Sequence, residues 1–469
     1  MTSLDRVDTP PARADGAKAV RGLLTAEFAE TLKLATPIAL TQLGQIAMMT
    51  TDLALIGRLG TDAVAGASLG QTVSFMGFVV GMGLVSAVAP LTAQAFGARD
   101  PHRLRRALRV GLWGAFLVAI PIMVLQLLGE QVLLLLGQAP ASAHLAGTYL
   151  KGMVWAALPG LWTIAIRGFM GSVNRPEPGL WIMLAAIPLN ALTAYALIYG
   201  AFGLPRLELL GAGLGTTIVS WAMCLASMWV AANVRPFRKF RVFTHVFRAD
   251  WPLLRELFAV GAPIAVAFVL EYGLFGSAAL LMGLIGTLAL TAHQVALNVA
   301  AVLFMVPFGV GMAATVRVGH AVGRGDVSAV RRAGFAGIVL GAAFMTVMTA
   351  IVLATRYDIA MLFLGSSERN ADAFALSSAL LIVGSTFFIA DGMQTVAAGS
   401  LRGMSDTRIP MLFSAISYWL VGFASSCVLG FTFGLGAIGV WIGLSLGTAV
   451  YAVLLILRFH LLSGRLVKP

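Results

Sequence analysis

Charge is scarce in this chain, and so is cysteine. Of 469 residues only 11% are charged, while 59% are hydrophobic. A water-soluble globular fold is excluded, because no soluble domain buries so large an apolar share. The two cysteines, Cys224 and Cys427, both lie inside apolar runs, so there is no disulfide framework and no cysteine metal spacing. None of the six histidines pairs with another at helical spacing, and no nucleophile cluster or metal-ligand set marks an integral-membrane enzyme. A GxxxxGK[ST] phosphate loop is also missing, so the chain carries no ATPase of its own. The first thirty residues contain PPARADGAK and no apolar core, which excludes a secretory signal there. No organic cofactor is called for.

What fills the chain is long apolar runs. They do not alternate polar with apolar residues, as the strands of a membrane barrel would, and each is near or above the roughly 20 residues a spanning helix needs. The expected fold is therefore an all-α integral membrane protein. Twelve spans are predicted, at 34–57, 64–96, 110–137, 146–171, 179–201, 210–233, 257–284, 289–322, 333–355, 373–401, 409–432 and 435–457. The formal charge of +12 would suit a nucleic-acid partner, but the placement of the charges argues otherwise. With these spans, 27 of the 32 basic residues fall on one side and only Arg58, Lys151, Arg206, Arg356 and Arg369 on the other. Such a bias marks the cytoplasmic side of a lipid bilayer, and it places both termini there. The basic stretch NVRPFRKFRVF, residues 233–243, reads as a topology anchor at anionic lipid.

The chain repeats itself at an offset of 226 residues. PIA at Pro37–Ala39 falls on PIA at Pro263–Ala265, Gly60 on Gly286, Phe78 on Phe304 and Gly83 on Gly309. Ala95, Gly97 and Asp100 then fall on Ala321, Gly323 and Asp326, and GSVNRPEP resembles GMSDTRIP at a slightly different offset. Each half thus holds six spans in the same orientation, the layout of transporters whose two lobes enclose a site near the midplane. The expected organisation is a disordered tail over 1–33, a first lobe over 34–233, a basic linker over 234–256, a second lobe over 257–457 and a tail over 458–469.

Three carboxylates stand in these apolar runs: Asp52 in MMTTDLALIGRLG, Glu271 in FVLEYGLFG and Asp391 in FFIADGMQTVAAGS. A charge at the centre of a bilayer costs roughly 3 kcal/mol or more, so an unpaired acid there faces a wet cavity, binds a cation or takes up a proton. No Lys or Arg stands out as a partner inside a span. Glu271 and Asp391 share a lobe, where two acids can share one cation and titrate as a pair. Pro37 and Pro263 each remove a helix hydrogen bond inside the first span of a lobe; Pro37 is a candidate bend. Gln45, Gln294, Asn190 and Asn298 read singly as interhelical hydrogen bonds, and His293 as a packed histidine.

The stretches TDLALIGRLG, LEYGLF, TAHQVALN, RVGHAVGRGD and DGMQTVAAGSLRGMSD resemble the multidrug and toxic compound extrusion family, in particular its bacterial NorM-type branch, from about Leu34 to Leu457. That resemblance implies two six-helix lobes and an antiporter of the bacterial inner membrane, exchanging cationic lipophilic drugs and dyes for Na⁺ or H⁺. It implies that Glu271 and Asp391 hold the coupling cation, as Na⁺ ligands if sodium drives transport, and that Asp52 is the first-lobe acid linked to protonation and drug. Pro37 matches the bending proline, Gln45 and Gln294 the drug contacts, and Asn190 an asparagine of the first-lobe polar cluster; Asn298 and Tyr272 are expected as supporting polar groups. Where the related DinF-type branch has an acid one turn after the asparagine, this chain has Ala194, which favours the second-lobe pair as the cation site. A monomer is the expected working unit. The alternative is a flippase for a lipid or lipid-linked sugar, which would want arginines to grip phosphate.

Overall fold

The computed structural model describes residues 14–244, 250–365 and 371–465. Among these there is no strand, and twelve long helices carry the fold. In the first half they are α1 (Ala14–Gly57), α2 (Thr61–Gly97), α3 (Pro101–Leu127), α4 (Pro140–Ser172), α5 (Glu177–Tyr199) and α6 (Glu208–Asn233). In the second half they are α7 (Trp251–Ile285), α8 (Thr287–Arg324), α9 (Val327–Leu364), α10 (Ala371–Gly403), α11 (Arg408–Thr432) and α12 (Gly436–Arg465). A short helix, Gly129–Leu135, follows α3, so the expected span over 110–137 is in fact two pieces. Leu135 and Leu136 remain exposed.

Most helices outrun the predicted spans, because an apolar run reports the bilayer crossing and not the turns beyond it. α7 starts at Trp251, inside the expected linker, and α9 runs on to Leu364. The largest correction is at the start. The tail expected to be disordered to residue 33 is already helical from Ala14. Its sequence from Ala17 to Lys33 is rich in Ala, Leu, Glu and Lys, which favour helix, and Glu27 pairs with Arg317 of α8. Residues 1–13 and Arg369 lie outside the described residues, as do Arg248 and the last four residues of the tail.

The repeat read in the sequence has structural causes. Gly60 and Gly286 precede α2 and α8 with φ of 114° and 150°, a region that is nearly glycine-only. Asp100 and Asp326 are N-caps. Asp100 Oδ1 accepts from the backbone N–H of His102 and Arg103, each at 2.9 Å, and Asp326 Oδ1 accepts from that of Ala329 at 2.9 Å. Each cap satisfies helix donors that would otherwise lack partners.

Two large cores form, and the first helix of each lobe crosses into the other's. Leu34 and Ala35 of α1 belong to the core built by α8, α9, α10 and α12. Leu253, Leu254, Leu257, Val260 and Ile264 of α7 belong to the core built by α2, α3 and α4. The crossings are tight. A methyl at Gly83 of α2 would overlap Ala265 of α7, and one at Gly309 of α8 would overlap Ala39 of α1. These two contacts are each other's repeat equivalents, so an approximate two-fold relates the lobes. Small residues at membrane helix crossings let backbones approach closely.

Candidate functional site

In the second lobe α7 carries Glu271, and α10 carries Asp391 with Gln394 one turn later on the same face. The amide nitrogen of Gln394 donates to both acids, to Glu271 Oε1 at 3.1 Å and to Asp391 Oδ1 at 3.0 Å. Asp391 and Gln394 are buried, at 5% and 3% exposure, whereas Glu271 is half-buried. One neutral donor thus bridges two carboxylates, at the place where a proton or a small cation would do the same.

The far wall comes from α11 and α12. The Tyr418 hydroxyl sits beside Glu271, fully buried, yet falls short of a well-formed hydrogen bond. Its ring packs on Tyr451 at 4.9 Å, and Trp419 Nε1 donates to the Leu270 carbonyl at 3.2 Å. Both residues lie in a stretch of π-helix, Ala415–Phe423, a rare widening of the helix found mostly at functional sites. Arg402, in the last turn of α10, lays its guanidinium 4.8 Å from the Phe268 ring, one turn before Glu271, near enough for its charge to act on that acid. It lines a small pocket with Pro263, Ala267, Thr407 and Tyr451. Among the described residues no basic side chain forms an ion pair with these acids; Arg402 approaches them from a span end.

The first-lobe acid has simpler company. Asp52 Oδ1 accepts from Asn190 Nδ2 of α5 at 2.6 Å, an interhelical bond as expected. Tyr149 is buried close by, and Tyr199 donates to the Leu55 carbonyl at 2.6 Å. Asp52 itself is half-buried. No contact joins it to Glu271 or Asp391 among the described residues.

The remaining candidates divide. His293 is packed and bonded, its Nδ1 accepting from Trp441 Nε1 at 3.2 Å. Gln45 and Gln294 are exposed and make no bond to another helix among the described residues. Asn298 donates to the Gln294 carbonyl of its own helix at 2.8 Å, so its expected interhelical bond is a local one; such an amide reaches the second lone pair of the carbonyl one turn back. Tyr272 engages by its ring, edge-on to Phe75 of the other lobe at 5.1 Å, and not as a polar partner of the acids. The Pro37 carbonyl accepts from Thr41 Oγ1 at 2.7 Å, and α1 continues through it. Sequence reasoning missed Gln394, Tyr418, Trp419, Tyr451 and Arg402. Only Gln394, a lone amide one turn from a lone acid, carried a readable signal. Among the described residues no group of three or more His, Cys, Asp or Glu is gathered as a metal centre.

Twelve membrane-length helices in two repeated lobes, with an acid inside a span of each, define the class: a polytopic, two-lobed protein of transporter architecture. The MatE family model matches residues 37–196 and 263–428, one block per lobe, and the chain belongs to this family, in its NorM-type branch. It is 57% identical over 467 residues to a probable multidrug resistance protein NorM of Bradyrhizobium diazoefficiens, covering all of both chains. To the protein of the same description from Rhodopseudomonas palustris it is 60% identical over 437 residues, covering 93% and 92%. Among solved structures, the eukaryotic MATE transporter AtDTX14 has the same fold, with a TM-score of 0.84 at 24% identity, covering 94% of this chain and 98% of that one.

Proposed function

We propose that the protein is a secondary multidrug antiporter, exporting cationic lipophilic compounds in exchange for H⁺ or Na⁺. The observation that carries this is the Gln394 amide shared between Glu271 and Asp391. Two acids held by one neutral donor form a site that a single monovalent cation can take over. A proton would sit on either carboxylate. Sodium would draw on oxygens of Glu271, Asp391 and Tyr418, with the Gln394 amide turned to present its oxygen. Glu271, being half-buried, is the acid an arriving cation meets first.

Cation loading neutralises the acids and weakens their hold on a cationic drug, which leaves on the outer side. The lobes then rock, release the ion to the cytoplasm and take up drug there or from the inner leaflet. Each step is a shift between two states that bind the two ligands differently. The interlobe contacts at the basic face support reading this conformation as closed to the cytoplasm. Names of the relatives support drug substrates, and the basic-residue bias supports cytoplasmic termini in the inner membrane of a bacterium. ATP and nucleic acid have no place in the cycle, and one chain with its two lobes suffices. A phosphate-gripping flippase site is not favoured, since Arg402 is the single basic residue lining the pocket.

The test is drug susceptibility and dye accumulation in a pump-deficient bacterial host expressing the protein. Higher tolerance to cationic dyes, with dye efflux that collapses when both proton and sodium gradients are dissipated, is the expected result. Unchanged tolerance and unchanged accumulation would overturn the antiporter reading.

A further inference from the structure

At the basic face the lobes are tied by reciprocal side-chain hydrogen bonds. Gln94 in the last turn of α2 donates through Nε2 to the Gly403 carbonyl at 2.9 Å and to the Ser405 hydroxyl at 3.0 Å. His320 in the last turns of α8 donates through Nε2 to the Ser172 carbonyl at 2.6 Å. A carbonyl can only accept, so the proton must stand on the His320 Nε2. Gln94 and His320 are separated by 226 residues, the offset of the internal repeat. Their acceptors correspond as well. Ser172 is the last helical residue of α4 and Gly403 that of α10, and each is followed two residues later by a left-handed residue, Asn174 and Ser405, both at φ 59°.

The chemistry explains why these carbonyls were used. The last carbonyls of a helix have no partner within it. Here each lobe supplies the side chain that caps a helix end of the other. The approach is enforced by two glycines at equivalent positions: a methyl on Gly97 would overlap the His320 backbone, and one on Gly323 would overlap that of Gln94. His320 is 4% exposed and packs on Phe96 at 5.1 Å.

We propose that Gln94 and His320 form a symmetric interlobe latch that holds the basic face closed, so that opening there must break both caps together and expose two helix ends. The latch sets the balance between the two access states independently of which ion or drug is bound. It rests on the two-state reading above, not on the chemistry of the acid site.

The test is the distance between spin labels at Ala98→Cys and Arg324→Cys, exposed and repeat-equivalent positions beside the latch. The labels go on full-length protein in lipid nanodiscs with Cys224→Ala and Cys427→Ala as background. Gln94→Leu and His320→Leu should each raise the long-distance population roughly threefold or more, and the double variant roughly tenfold or more, as loss of the cap at one helix end and then at both requires. His320→Gln, which keeps a donor, should stay at the wild-type distribution. An unchanged distribution in the singles and the double would overturn the latch. So would an equal shift in His320→Gln and His320→Leu, since ring packing and not the hydrogen bond would then hold the lobes. No drug or gradient is needed, so a failed transport assay and a failed latch are separate results.

Discussion

The two lobes share a frame but not a site. Gln45 in α1 and Glu271 in α7 are repeat equivalents, so a neutral amide stands in one lobe where the other has its first acid. Asp52 stands seven residues beyond Gln45, about 10 Å further along the helix, and its repeat equivalent is Ala278. By contrast, the glycines at the crossings, the aspartate caps and the two latch donors keep the 226-residue register. The crossings, caps and interlobe hydrogen-bond donors thus keep the repeat, while the carboxylates do not. One lobe has a single acid with one amide donor. The other has two acids, a bridging amide, a tyrosine hydroxyl beside Glu271 and a nearby guanidinium. On the proposed reading, the richer set holds the ion and the simpler one contacts drug.

The largest break in this comparison should come from neutralising the acids. Asp391→Asn should reduce gradient-driven dye exchange in proteoliposomes to the rate of empty vesicles, while Asp52→Asn should leave part of it. Next come the shared crossings. Gly323→Val and Gly97→Val should each destabilise the purified protein by about 3 kcal/mol, since overpacking against backbone has no flexible side chain to yield, and thermal unfolding would register both. Equal losses are expected, because the two crossings are equivalent.

A smaller effect separates the lobes again. Trp419→Phe removes the donor to the Leu270 carbonyl beside Glu271 and should cost about 1 kcal/mol, with a larger loss of ion coupling than of drug binding. The smallest effect is on acid stability. The Asp326 carboxyl, bonded by the Ser328 hydroxyl and the Ala329 N–H, is held below the usual carboxylate range. Its contribution is complete above the unfolded value near pH 4 and is lost as pH falls through the lower folded value. Asp326→Ala should lower stability by about 1 kcal/mol at neutral pH and flatten the acid limb of a thermal-unfolding series against pH.

Much of this was legible in the chain. The twelve crossings were visible because apolar length and charge placement are one-dimensional signals. The repeat was visible because Gly60, Gly97 and Asp100 answer to backbone demands that each lobe makes again. Lone acids in apolar runs announced Asp52, Glu271 and Asp391. What surrounds them was not legible. Tyr418 and Trp419 read as ordinary aromatic residues of a span, and their approach to Glu271 depends on a π-helical stretch that no spacing foretells. Arg402 read as a topology residue, because its span-end position conceals a long side chain that reaches back along the helix. Gln94 and His320 sat in a recognised repeat, yet only their acceptors, supplied by distant helix ends, reveal what they do.

The decisive measurement is dye movement in proteoliposomes under an imposed proton gradient and, separately, an imposed sodium gradient, comparing wild type with Glu271→Gln. The expected result is that one gradient drives the dye in wild type and neither does in the variant, which assigns the second-lobe acids as the coupling site and names the ion. Equal dye movement in wild type and variant would contradict it, leaving Glu271 a structural acid and Asp52 as the group to which coupling must be reassigned.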